Sequence, residues 1–117
     1  MTGENPITIT MPSTVTCGTL ITGEVRSSHP KIRRVTLWFF APGVVPGVGQ
    51  TWNDLKTQRI KSMSQSLSDI FDKPGKFRKR SSKLALSTGY HAVAHVPDEP
   101  GSVGGNTVVA AMFDLVA

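Results

Sequence analysis

Tyr90-His91-Ala92-Val93-Ala94-His95-Val96, together with the run from Thr107 to Val116, decides the reading of this chain. Between them lies Pro97-Asp98-Glu99-Pro100-Gly101-Ser102-Val103-Gly104-Gly105-Asn106, a segment rich in turn residues. Two β-rich runs on either side of such punctuation read as antiparallel neighbours. In the first, Tyr90, Ala92, Ala94 and Val96 share one face, and His91, Val93 and His95 the other. In the second, Val109, Ala111, Phe113 and Leu115 alternate with Val108, Ala110, Met112 and Asp114. The Phe113 face is expected inward, because Asp114 then points away from the core.

The same period of two extends towards the N-terminus. Ile7-Thr8-Ile9-Thr10-Met11 alternates and stops at Pro12. Gly18 to Arg26 forms a second strand, with Ile21, Gly23 and Val25 inward. Ser27-Ser28-His29-Pro30 is a turn, since Pro30 removes a donor and holds His29 extended. Ile32 to Phe40 is the third strand. Val35, Leu37 and Phe39 lie on one face, and Arg34, Thr36, Trp38 and Phe40 on the other. Rings on both faces predict a central strand or one covered on its second face.

The middle of the chain is harder to read. Ala41-Pro42-Gly43-Val44-Val45-Pro46-Gly47-Val48-Gly49 is too kinked for a strand. Thr51 to Leu55 suits a turn or one helical turn, and Gln58 to Met63 a short strand. Leu67, Ile70 and Phe71 sit at helical spacing. Asp72-Lys73-Pro74-Gly75 is a turn. Phe77 to Arg80 and Lys83 to Leu86 suit two strands, or one with a bulge.

All 117 residues fit a single domain, 1–117, long enough to bury a core without metal or disulfide. Gly and Pro together number 19, which suits many turns better than long helices. Cys17 is the single cysteine, so no internal disulfide forms, and a small buried thiol is expected. Met1-Thr2-Gly3-Glu4-Asn5-Pro6 lacks the basic start and apolar run of a signal peptide. No apolar stretch is long enough to span a membrane. The expectation is cytoplasmic synthesis without a signal peptide, with a virion as one destination.

Charge is unevenly placed. Between Lys31 and Lys83 lie 12 of the 13 Lys and Arg, against three acids, Asp54, Asp69 and Asp72. The remainder holds Arg26 against five acids. The middle therefore carries +9 and the ends −4, a pattern that points to an oppositely charged partner.

Gly18 to Val25, the stretch Leu86-Ser87-Thr88-Gly89-Tyr90 with its following alternation, and the acid- and glycine-bearing turn before the last strand resemble the immunoglobulin-like and fibronectin type III-like sandwiches. The resemblance covers about residues 6–40 and 84–117. It implies an all-β, immunoglobulin-like antiparallel β-sandwich of about seven strands, with a long basic and apolar insertion at residues 41–83. It also implies a tyrosine corner at Tyr90, where the hydroxyl bonds back to nearby backbone. The paired cysteines of antibody domains are absent, although Trp38 stands in the third strand where such a ring is expected.

Catalytic and metal signatures do not emerge. His91 and His95, four residues apart on a strand, have Cα atoms roughly 13 Å apart. Zinc ligands sit about 2 Å from the metal, so the two imidazoles are expected on the outward surface instead. No Gly-x-Ser-x-Gly elbow occurs. Gly101-Ser102-Val103-Gly104-Gly105 lacks the Gly-Lys-Ser/Thr of a phosphate loop. Asp98-Glu99 supplies too few oxygens for calcium. No cofactor, no metal and no enzymatic activity are expected.

Two segments are candidate contacts. Val44, Val45, Val48, Trp52 and Leu55 are many apolar residues for a loop. Either they cover the second face of the third strand, or they dock on another chain. Lys73, Lys76, Phe77, Arg78, Lys79, Arg80 and Lys83 form a basic segment with an aromatic ring among the cations. It suits phosphate contacts and base stacking, or a solvated edge whose charges discourage pairing with another sheet. The expected function is structural: a capsid, decoration or tail component of a virus or phage, meeting copies of itself or other subunits through residues 41–83. The alternative is a module that binds nucleic acid or another polyanion through Lys73–Lys83.

Overall fold

Pro12 marks the point where the chain changes sheets. A computed structural model describes residues 6–43, 52–82, 84–97 and 107–117, leaving aside the side chains of Lys61 and Ser62. Before Pro12, β1 (Ile7–Thr10) pairs antiparallel with β3 (Leu20–Ser27). After it, β2 (Thr14–Thr16) runs parallel to β8 (Val108–Val116) in the other sheet. Proline lacks the donor a ladder needs, so pairing breaks there and the chain can cross over. The parallel pair is held at both ends by backbone bonds, from Asp114 N–H to the Ser13 carbonyl (2.9 Å) and from Cys17 N–H to the Val116 carbonyl (2.7 Å).

The remaining strands are β4 (Arg34–Phe40), β5 (Arg59–Ser68), β6 (Gly75–Arg80) and β7 (Ser87–His95). A short helix α1 (Trp52–Leu55) leads through one 3-10 turn (Lys56–Gln58) into β5. The described strands form a three-stranded sheet, β1-β3-β6, and a five-stranded sheet, β2-β8-β7-β4-β5. The chain is all-β, and the two sheets pack as a sandwich. The expected antiparallel neighbours are β7 and β8, with Tyr90 opposite Phe113 and His95 opposite Val108.

Alternation places the core. Ile21 and Val25 of β3, Leu37 and Phe39 of β4, and Phe113 and Leu115 of β8 are all buried. Phe77 of β6 meets Phe39 of the opposite sheet edge-on, at 6.4 Å between centroids. Phe39 in turn meets Phe113 at 6.1 Å, and Tyr90 stacks on Phe113 at 5.5 Å. Each ring buried this way contributes roughly 1.5–3 kcal/mol. Gly23 lies directly across from Phe77 in the ladder. A Cβ there would stand 2.4 Å from the Phe77 ring and 2.7 Å from the Thr10 carbonyl, so the ring occupies the space a side chain would need. The Tyr90 hydroxyl donates to the Ala85 carbonyl at 2.6 Å, the backward bond expected of this tyrosine.

Residues 41–83 are less of an excursion than their sequence suggests. β5 pairs with β4, and β6 with β3, so two strands of that segment belong to the sheets themselves. The described residues hold eight strands, where about seven were expected. The helical spacing at Leu67, Ile70 and Phe71 is not a helix. Leu67 is a buried position of β5, and Ile70 caps the sandwich from the turn that follows.

Candidate functional site

The outer face of the five-stranded sheet is the first candidate contact. Helix α1 lies over it. Leu55, 1% exposed, packs against Phe40 and Val93, with Trp38, Trp52 and Val108 around them. Trp52 stacks on His95 at 3.9 Å and 14°, and meets Trp38 at 6.2 Å. The Arg59 guanidinium sits over the Trp38 ring at 4.7 Å. Of the two roles open to this segment, Trp52 and Leu55 take the one that covers β4. Val44, Val45 and Val48 lie outside the described residues.

The cover also corrects the expected surface imidazoles. His91 and His95 are buried, at 9% and 7% exposure, because both faces of β7 are covered. Burial pushes His91 below its ordinary pKa, and the Gly89 backbone works in the opposite direction. His91 Nδ1, Trp38 Nε1 and Arg59 Nε are buried without a hydrogen-bond partner. Among the described residues, no three His, Cys, Asp or Glu side chains come together as a metal would require.

The second candidate contact is β6, an edge strand with β3 as its ladder partner. Its pleat sorts the basic segment. Lys76, Arg78 and Arg80 point outward and are exposed, and Lys79 is partly buried. Phe77 points inward and is fully buried. Its ring therefore cannot stack on a base, which corrects its assignment to a polyanion site: one apolar residue among alternating cations is the inward position of a strand. Lys73 is exposed in the turn before β6, and Lys83 lies outside the described residues.

β6 is anchored firmly at its C-terminal end. The Ser81 side chain is buried, accepts from the Gly18 N–H at 3.0 Å and donates to the Thr19 carbonyl at 2.6 Å. Gly18 has φ +91°, a conformation glycine adopts without strain, and so presents its N–H in this turn. Along the free edge, the Gln65 side chain reaches over from β5. Its oxygen accepts from the Arg78 N–H at 3.1 Å, and its nitrogen donates to the Lys76 carbonyl at 3.5 Å.

Beside this edge the sandwich is open. The three-stranded sheet ends at β6, while β5 extends the other sheet further. The result is a cleft of about 790 Å³. Leu20, Ile60, Met63 and Leu84 line its apolar side, and Arg78, Lys79 and Arg80 its cationic side. Sequence reading singled out the cations but missed the aliphatic wall, which comes from two separate strands, β3 and β5, and a loop. Among the described residues, no helix is long and apolar enough to cross a membrane. Comparison of the chain with family models, curated proteins and solved structures found no match.

Proposed function

We propose that this chain is a non-enzymatic structural protein that works by assembly, and that its sandwich is of the immunoglobulin-like kind. Three features support the kinship. β2 runs parallel to β8, the hydroxyl of Tyr90 bonds back to Ala85, and the order β8-β7-β4-β5 matches the G-F-C-C′ side of a variable-type domain. The observation that carries the assembly reading is the cationic edge strand β6 beside an open cleft, on a chain whose ends carry the opposite charge. Head-to-tail contacts between such regions build rings or filaments. A capsid, decoration or tail protein of a virus or phage is the concrete form of this proposal.

Light-scattering mass measured against protein and salt concentration tests it. The mass should rise with protein concentration and fall as salt screens the charges. A monomer at every concentration would remove the assembly reading.

A second reading has its own support. Lys76, Arg78 and Arg80 stand at alternate positions on one exposed strand face, a spacing able to follow a phosphate backbone. Replacing Arg78, Lys79 and Arg80 with Gln should then abolish a salt-sensitive interaction with an oligonucleotide while the fold persists.

A further inference from the structure

The cleft beside β6 has the dimensions and chemistry of a place for one more strand. In an antiparallel ladder, alternate residues turn their backbone groups to the same side. The Arg78 N–H and the Lys76 carbonyl face away from β3, as their bonds to Gln65 show. The same period turns Arg80 outward. In the other direction, the Ser81 N–H meets the Thr19 carbonyl on the β3 side. Among the described residues, no strand pairs with the outward side of β6.

The Gln65 amide acts on that side as a single peptide group would. It supplies one acceptor and one donor to successive outward positions. The ladder is thus continued by one side chain and no further. Below it, among the described residues, no fourth strand of the opposing sheet lies over Met63 and Ile60 of β5, and Leu20 stands 38% exposed at the rim.

We propose that this cleft takes an extended segment of another polypeptide, with aliphatic and acidic residues in alternation, added as a strand beside β6. The inference rests on the assembly reading and gives it a location and a partner chemistry. Backbone pairing to the outward groups of β6 supplies affinity, and the side chains on its two faces supply specificity. Aliphatic side chains on one face of the segment lie against Ile60, Met63 and Leu84. Acidic side chains on the other meet Arg78 and Arg80. Nucleic acid fits less well, because the cleft wall is aliphatic and Phe77 is turned inward. To pair along the whole of β6, the segment displaces the Gln65 amide from Arg78 and Lys76.

The test uses fluorescence anisotropy with the intact chain and three labelled probes. These are a short peptide alternating glutamate with leucine and valine, the same peptide N-methylated on alternate backbone nitrogens, and a single-stranded oligonucleotide. The glutamate peptide should bind, and N-methylation should weaken it about tenfold or more. Gln65→Ala should tighten binding by uncovering the edge. Arg78→Gln with Arg80→Gln should weaken it, with an unchanged circular dichroism spectrum. Absence of peptide binding, equal binding of the N-methylated peptide, or preference for the oligonucleotide would each overturn the proposal. Self-association is read separately by light scattering. A monomeric chain that binds the peptide sinks the assembly reading alone, and a self-associating chain that ignores the peptide sinks the cleft.

Discussion

Leu55 and Arg80 belong to the two segments whose composition marks them as contacts, yet the fold places them differently. Leu55, the last residue of α1, is sealed against Phe40 and Val93. Arg80 is exposed on an edge strand beside an open cleft. The first segment satisfies a need inside the molecule, since a sheet with Trp38, Phe40, Val93 and two imidazoles on its outer face requires a cover. The cations of the second have no such internal use, although Phe77 between them fills the core. Apolar excess in a loop therefore says that something is covered, and the location of the uncovered sheet face decides whether the same chain does the covering.

Truncating the cover is the strongest way to break this contrast. Leu55→Ala should destabilise the protein by about 2–5 kcal/mol, the range for a fully buried leucine. Replacement of Arg78 and Arg80 with Gln should stay within about 0.5 kcal/mol, as exposed charges do. Urea unfolding of both variants checks the pair. Comparable losses would mean that the cationic edge is as much a part of the folded core as the helix.

Gly23→Ala probes what holds the edge strand in place. Its Cβ would collide with the Phe77 ring and the Thr10 carbonyl, and neither is a flexible side-chain end that could swing aside. Overpacking of this kind costs about 1–3 kcal/mol. The loss should appear in the unfolding midpoint. If the strand shifts to relieve the clash, binding at the cleft should fall as well. An unchanged midpoint would show that Phe77 has room to move, and that β6 is seated less tightly than its burial implies.

Tyr90→Phe acts between the two regions. The hydroxyl holds the Ala85 carbonyl, next to Leu84 on the cleft wall. Its loss should cost about 0.5–1.5 kcal/mol. Ala85 is exposed, so water can take over its carbonyl, and the lower end of that range is expected. Thermal unfolding measures the loss. A much larger effect would mean that the whole segment between β6 and β7 depends on this bond.

The contrast was only half legible in the sequence. β1 and β3 alternate apolar with polar residues, β4, β7 and β8 are apolar runs bounded by turn residues, and the resemblance to immunoglobulin-like sandwiches implied the backward hydrogen bond of Tyr90. β5 was obscured because Met63, Gln65 and Leu67 alternate with Ser62, Ser64, Ser66 and Ser68. That is a clean period of two, but with little hydrophobic signal. β2 is three residues long and pairs parallel with the far end of the chain, which no local pattern encodes. Phe77 looked like a stacking platform because it stands among cations, although its parity within β6 already set it opposite Lys76 and Arg78. The burial of His95 depends on Trp52, which a helix delivers from elsewhere in the chain. The cleft is a mismatch in strand number between two sheets, a property of the assembled fold alone.

His91 offers the finest test of the covered face. Burial holds its pKa below the ordinary value, so the folded protein keeps the imidazole neutral where the unfolded chain would protonate it. The unfolded state then binds more protons, and stability rises with pH across that window. The contribution is fully present above the unfolded histidine pKa of about 6.5. It is lost progressively as pH falls from there through the lower folded value. Denaturant midpoints at about pH 7.5 and about pH 5 should therefore differ more for the native chain than for His91→Gln. Comparing the two chains cancels the titration of the carboxylates and of the other histidines. The effect should be the smallest of the four, since one partly desolvated ring carries it. If both chains show the same pH dependence, water reaches His91, and this part of β7 is less tightly covered than its burial indicates.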